Sequence, residues 1–228
     1  MVADYNQIEL RCIAHLAQDP GLIAAFTTGQ DVHSATAARV FGVEESAVTH
    51  EQRSKAKMVS YGLAYGMEAF GLGQRLGIRT DEAATILDAY FAAFPNVQSY
   101  MDDTVAQAKS RGYTETLFGR RRRIPELDSS NFRIRQAGER QAMNAAIQGL
   151  AADIFKIALI RIDQALSDSA LASRLVLQVH DEVLVESPLN EVEVVDALVL
   201  QIMEQATKLD VPLAVNSAWG STWAEAKS

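Results

Sequence analysis

The sequence predicts an α+β fold in which a small antiparallel sheet is interrupted by a large helical insertion. Three features carry that prediction: a strand-like opening near Asp4, a β-hairpin pattern over residues 175–186 (LVLQVHDEVLVE), and a predominantly helical middle. No internal repeat, low-complexity tract or Pro/Ser-rich linker separates these regions. The opening strand and the hairpin are therefore expected to pair across the helical excursion.

Residues 6–16 (NQIELRCIAHL) begin as a strand and turn into a helix, and residues 31–41 (DVHSATAARVF) show a helical pattern with Asp31 as the start signal. A longer amphipathic helix is predicted over residues 50–62, followed by the glycine-punctuated segment LAYGMEAFGLGQRLGI. Residues 80–94 form a further helix ended by Pro95, and residues 96–111 another stopped by Gly112. Residues 113–117 (YTETL) alternate as a strand does, while residues 118–125 (FGRRRRIP) read as a turn with an exposed basic cluster. A long helix over residues 135–166, interrupted near Gly149, leads into the hairpin, whose two runs meet at His180 and Asp181. A last helix is predicted over residues 191–209.

With 228 residues, 48% of them hydrophobic and 22% charged, the chain can bury an ordinary core. Its one cysteine, Cys12, excludes an internal disulfide framework and a multi-cysteine metal site, so a reducing cytoplasm is the expected compartment. The opening MVADYNQIELR has no signal-like apolar core, and no run approaches the ~18 apolar residues of a membrane span. No membrane partner is expected.

The net charge of −8 argues against a nucleic-acid partner until its distribution is considered. Residues 53–156 hold 15 basic against 11 acidic residues, a net of +4, whereas residues 1–52 carry −5 and residues 157–228 carry −7. That layout suits a chain that grips a polyanion with its middle and concentrates carboxylates elsewhere.

Three groups of residues carry candidate chemistry. Asp4 and Asp181 converge if the first strand lies beside the hairpin, and two carboxylates at close range repel unless a cation joins them. Magnesium fits, because it takes a few carboxylates and completes its shell with water and phosphates. Glu182, next in sequence, faces away on a strict strand and ranks as an auxiliary. Arg53, Lys57, Tyr61 and Tyr65 recur every four residues, so two cations and two rings form one helical stripe that drifts by about 40° per step. Such a stripe can hold a nucleotide's charged end and pack its sugar and base. A solvated helix face with docked aromatics is the structural alternative. Arg140, Asn144 and Gln148 share a second face with donors and acceptors suited to bases, sugars and phosphates, although a polar exposed face would look the same.

These groups fall in a recognisable order. DYNQIELR resembles motif A of the family A DNA polymerases of the bacterial polymerase I type, RSKAKMVSYGLAYG resembles motif B, and VHDE resembles motif C. The segments DVHSATAARVFG and RQAMNAAIQGLAADIFK are similar to family sequence between the motifs, so the resemblance spans almost the whole chain. One departure is Asn6, where motif A usually has serine.

The resemblance implies a polymerase right hand without its thumb: an antiparallel palm sheet with a large helical fingers insertion. Residues 1–12 would be the motif A palm strand, 13–136 the fingers, and 137–228 the rest of the palm. It implies a DNA-directed DNA polymerase of replication and repair that uses two Mg2+ ions, with Mn2+ as a substitute. The expected partners are primer–template DNA, deoxynucleoside triphosphates and the family's thumb and N-terminal domains, and the expected location is the bacterial cytoplasm and nucleoid. Asp4, Asp181 and the Tyr5 carbonyl would bind metal, with Glu182 auxiliary. Arg53 and Lys57 would hold the triphosphate, and Lys57 would also protonate the departing pyrophosphate. Tyr61 would pack the incoming sugar and base, Glu9 would screen against a ribose 2′-hydroxyl, and Gln7 and His33 would be secondary nucleotide contacts. Tyr65 would stack near the templating base, while Arg140, Asn144, Gln148 and His180 would contact the duplex. The Arg120–Arg123 run is either a backbone contact or a solvated turn. A thumb-less fragment that binds nucleotide and DNA with little activity of its own is the alternative function.

Overall fold

The computed structural model describes residues 1–227. In chain order its first elements are β1 (Val2–Tyr5), α1 (Ile8–Ala17), α2 (Pro20–Thr27), α3 (Val32–Phe41), α4 (His50–Ala64), α5 (Ala69–Leu76), α6 (Thr80–Ala93) and α7 (Pro95–Arg111). They are followed by β2 (Tyr113–Glu115), β3 (Arg121–Arg123), α8 (Phe132–Asp168), β4 (Arg174–Val179), β5 (Glu182–Glu186), α9 (Val192–Glu204), β6 (Val215–Ala218) and α10 (Trp223–Ala226). The chain divides into two compact units, Met1–Ile8 with Ala151–Ser228, and Glu9–Leu150.

The first unit is built on a four-stranded, wholly antiparallel sheet in the order β4-β5-β1-β6. The expected neighbourhood of opening strand and hairpin is present: Val2, Ala3 and Asp4 pair with Leu184, Val183 and Glu182. Alternation along β1 sends Tyr5 into the core, where its hydroxyl donates to the Met203 carbonyl at 2.7 Å and its ring meets Phe155 edge-on. Asp4, one residue earlier, takes the other face. The fourth strand, β6, has no counterpart in the sequence reading. It is short, half-exposed and defined by its ladder with β1.

The second unit is helical, with a two-stranded ribbon. Its helices are started by local chemistry: Asp31 caps α3 through the His33 and Ser34 amides, and Thr49 and Gln52 form a reciprocal capping box on α4. Pro95 ends α6, as expected, and also begins α7, with Phe94 as the hinge between them. The buried side chains of Val59, Leu72, Tyr90, Phe94 and Val97 form much of this unit's interior.

Other elements also differ from the sequence reading. The glycine-punctuated segment contains α5, and Asp19–Pro20 starts the unforeseen α2 with an Asp cap and proline in the first turn. The arginine run is not a plain turn, because Arg121–Arg123 pair with Tyr113–Glu115 as β3, an ion pair joining Arg121 to Glu115. The long helix α8 runs 37 residues without a break at Gly149. That glycine serves a close approach: a Cβ there would lie 2.6 Å from the Thr116 methyl. Among the described residues no helix is long and apolar enough to cross a membrane.

Candidate functional site

In the sheet unit, the β4–β5 hairpin closes in two residues, His180 and Asp181, because Val179 pairs directly with Glu182. His180 takes a positive φ of 55°, uncommon for a non-glycine residue, and its carbonyl accepts from Gln178 Nε2 at 2.8 Å. The Asp181 carbonyl accepts from the Tyr5 amide at 3.3 Å, which ties the hairpin tip to the end of β1. The turn therefore delivers Asp181 beside Asp4, and the register sets Glu182 directly opposite Asp4.

Three carboxylates thus share one end of the sheet. Asp4 Oδ1 is buried and has no hydrogen-bond partner. Burial first, then the negative charges of Asp181 and Glu182, push the Asp4 carboxyl up to about 6, with Lys227 acting in the opposite direction. Glu182 is differently placed. It is 4% exposed, one oxygen accepting from Trp223 Nε1 at 2.6 Å and the other paired with Lys227 Nζ at 2.6 Å. Among the described residues no set of three His, Cys, Asp or Glu side chains forms a metal cage. A pair of oxygen donors, one of them buried and unsatisfied, fits a hard divalent cation that brings the rest of its own shell.

The raised Asp4 carboxyl has a consequence for stability. Its proton is bound more tightly in the folded chain than in the unfolded one, so the folded state gains stability as pH falls from about 6 toward 4 and loses it as pH rises through that window. At pH 7, without divalent cations, Asp4→Asn is expected to stabilise the chain by on the order of 1 kcal/mol, since solvent still screens this half-buried group. The difference should shrink at pH 4. Urea midpoints of both proteins at the two pH values measure it, and an unstabilised variant at pH 7 would refute the charge strain.

In the helical unit, α4 carries Arg53, Lys57 and Tyr61 along one face. Arg53 is held in a two-pronged bond by Asp31, Nε to Oδ2 at 2.6 Å and the second nitrogen to Oδ1 at 3.1 Å. Burial alone would raise the Asp31 carboxyl, but the bonds from Arg53, Ser34 and the His33 amide hold it well below the usual carboxylate range. His33, 2% exposed, lies with its ring 5.8 Å from that of Tyr61. Burial, with the positive charges of Arg53 and Lys57, lowers His33 to about 4 despite Asp31, so the imidazole is neutral near pH 7. Lys57 is exposed and Tyr61 half-buried. The two cations, the tyrosine and the neutral histidine therefore belong to one locality.

The predicted stripe stops short of its last member. Helix α4 ends at Ala64, and Tyr65 is its C-cap, 51% exposed. Asn144 Nδ2 donates to the Tyr65 carbonyl at 3.0 Å, while Arg140 and Gln136 both bind Glu68 just beyond it. Gly66, at a φ of 65°, allows this approach, since a Cβ there would sit 3.1 Å from Asn144 Oδ1. Arg140 and Asn144 thus steady the turn after α4, and Gln148 lies half-buried one turn further along α8. Gln7, at a φ of 57°, makes the turn out of β1, and Glu9 stands in the first turn of α1.

Sequence reasoning missed four participants: Asp31 as the partner of Arg53, Glu68 as the partner of Arg140, and Trp223 and Lys227 on Glu182. The sequence marks Asp31 only as a helix start.

Comparison with known proteins gives a consistent result. The sequence model of DNA polymerase family A matches residues 1–225. DNA polymerase I of Mycobacterium tuberculosis (H37Rv) is 54% identical over 223 residues, covering 98% of this chain and 25% of the relative. DNA polymerase I of Bacillus subtilis is 49% identical over 225 residues, covering 99% and 26%. Among solved structures, the POL domain of Pol1 from M. smegmatis, in complex with DNA primer-template and dNTP, matches with a TM-score of 0.95 and 51% identity, over 100% of this chain and 40% of that one. The chain spans about a quarter of the length of the curated relatives it matches.

Proposed function

The chain belongs to DNA polymerase family A, and from that premise we propose that it carries the catalytic core of a DNA-directed DNA polymerase acting in replication and repair. The observation that carries the reading is the carboxylate pair, Asp4 with its buried, unsatisfied oxygen and Asp181 delivered beside it by the hairpin. In this reading residues 1–12 and 137–228 are palm and residues 13–136 are fingers, and the thumb lies in the part of the relatives that the chain does not match.

Asp4 and Asp181, with the Tyr5 carbonyl, hold two Mg2+ ions, Mn2+ serving as a substitute, and Glu182 is auxiliary. When bound, such ions supply charge neutralisation at the attacking 3′-oxygen and the leaving phosphate oxygen. Arg53 and Lys57 bind the triphosphate. Because Asp31 already holds the Arg53 guanidinium by two bonds, its orientation is fixed in advance. Lys57, exposed and cationic, gives a proton to the departing pyrophosphate oxygen. Tyr61 packs against the sugar and base, with neutral His33 behind it and Gln7 as a secondary contact, and Glu9 excludes a 2′-hydroxyl by occupying its space. Tyr65, Arg140, Asn144, Gln148 and His180 contact primer–template, the intramolecular bonds of Arg140 and Asn144 setting their orientation.

The test is single-nucleotide primer extension by the 228-residue chain with Mg2+ and a matched deoxynucleotide. Weak extension that stops when the template base is changed supports the reading, and incorporation indifferent to the template would contradict it. Duplex binding is expected to be weak and steeply salt-dependent, because phosphate contacts from the basic middle segment dominate and each releases counterions. Titrating labelled primer–template between 50 and 200 mM salt should reveal a fall of about tenfold or more for a handful of contacts. Tight, salt-insensitive binding would indicate another mode of recognition.

A further inference from the structure

We propose that Lys227, carried with Trp223 on the α10 turn, is a tethered counter-cation of the carboxylate cluster that holds Glu182 in place and opposes divalent-cation binding at Asp4 and Asp181. The inference rests on the metal-binding reading of those two aspartates. The turn is docked rather than loose. Thr222 caps α10 through the Glu225 amide, Glu225 in turn accepts from the Ser221 amide at 2.8 Å, and Ala226 is buried. Gly220 makes the fold-back possible, since a Cβ there would lie 2.7 Å from the Ala226 nitrogen.

From this base both oxygens of Glu182 are engaged, one by Trp223 Nε1 and one by Lys227 Nζ, each at 2.6 Å. The Lys227 ammonium also lies 5.3 Å from the Trp223 ring centre, so the two donors support one another. Glu182 faces Asp4 across the β1–β5 ladder, and the Lys227 charge is felt by Asp4 and Asp181 as well as by its direct partner. The cluster therefore contains one fixed positive charge of its own. That charge relieves repulsion among the three carboxylates and repels an arriving divalent ion. The protein's own affinity for metal is thereby lowered, and substrate phosphates that complete the ion's shell raise it.

Binding of Mn2+ alone to the 228-residue chain at pH 8, read from the spin-resonance signal of free Mn2+, tests this without any measurement of activity. Lys227→Gln is expected to tighten binding roughly 3- to 30-fold, the range a single nearby charge exerts at a partly solvated site. Lys227→Arg should bind as the wild type does, and Asp181→Asn should lose most of the binding. If Asp181→Asn binds like the wild type, or no protein binds Mn2+, the metal reading fails and the inference with it. If Asp181→Asn loses binding while Lys227→Gln is unchanged or weaker, the counter-cation role is overturned and the metal reading stands.

Discussion

Asp181→Ala, and independently Asp4→Ala, is expected to lower nucleotide incorporation by about three orders of magnitude or more. The estimate follows from the several kcal/mol of charge stabilisation that bound divalent ions supply to a phosphoryl transfer, where about 4 kcal/mol corresponds to about a thousandfold in rate. In the proposed reading Asp4 and Asp181 carry those ions, since both oxygens of the auxiliary Glu182 are engaged by Trp223 and Lys227. Misfolding is an unattractive explanation for such an effect, since neutralising Asp4 relieves charge strain in the metal-free chain. The measurement is rapid-quench single-nucleotide incorporation at saturating Mg2+, and an Asp181→Ala protein within tenfold of the wild type would refute the assignment.

The second large effect concerns one oxygen atom. Family A polymerases carry Phe or Tyr at the position of Tyr61, and the resemblance implies that tyrosine accepts nucleotides lacking a 3′-hydroxyl far more readily. A phenol oxygen beside the sugar occupies the polar space that the missing hydroxyl leaves, whereas phenylalanine leaves neighbouring polar groups unsatisfied. Tyr61 is half-buried in the last turn of α4, with its ring centre 5.8 Å from that of buried His33. The wild-type site is expected to use dideoxynucleotides nearly as well as deoxynucleotides. Tyr61→Phe should discriminate against them by roughly 5- to 150-fold, the worth of one hydrogen bond at about 1–3 kcal/mol. Competitive incorporation on a primed template decides it. Equal discrimination by the two proteins would remove this role from Tyr61 and leave the aspartates untouched.

What could be read from the sequence was whatever local chemistry encodes. Helices α3 and α4 are announced by their own caps, Asp31 and Thr49 with Gln52, and α7 by the Gly112 stop at a φ of 74°. The hairpin was legible because two apolar runs are separated by a single polar pair. Strands β3 and β6 were not, since an arginine run and the VNSA segment become strands only through the partners they find in β2 and β1. The glycine at 149 looked like a break because its purpose, room for Thr116, lies in another element.

The site divides in the same way. The candidate nucleotide-contacting residues stand out by their four-residue spacing and the candidate metal ligands by the expected pairing of the opening strand with the hairpin, while the residues that orient them do not stand out. Asp31 is 22 positions from Arg53, Glu68 is 72 from Arg140, and Trp223 is 41 from Glu182. Nothing in the local sequence signals partnerships of that length.

Whether the chain holds a working polymerase site is decided by transplanting it. Residues 1–225 would replace the matching segment of the B. subtilis polymerase I, which supplies the remaining three-quarters of the length, and template-directed extension would be measured with Mg2+. The chimera is expected to extend primers in the template's order and to fall silent on Asp181→Ala. A folded chimera that binds primer–template yet adds no nucleotide in Mg2+ or Mn2+ would contradict it.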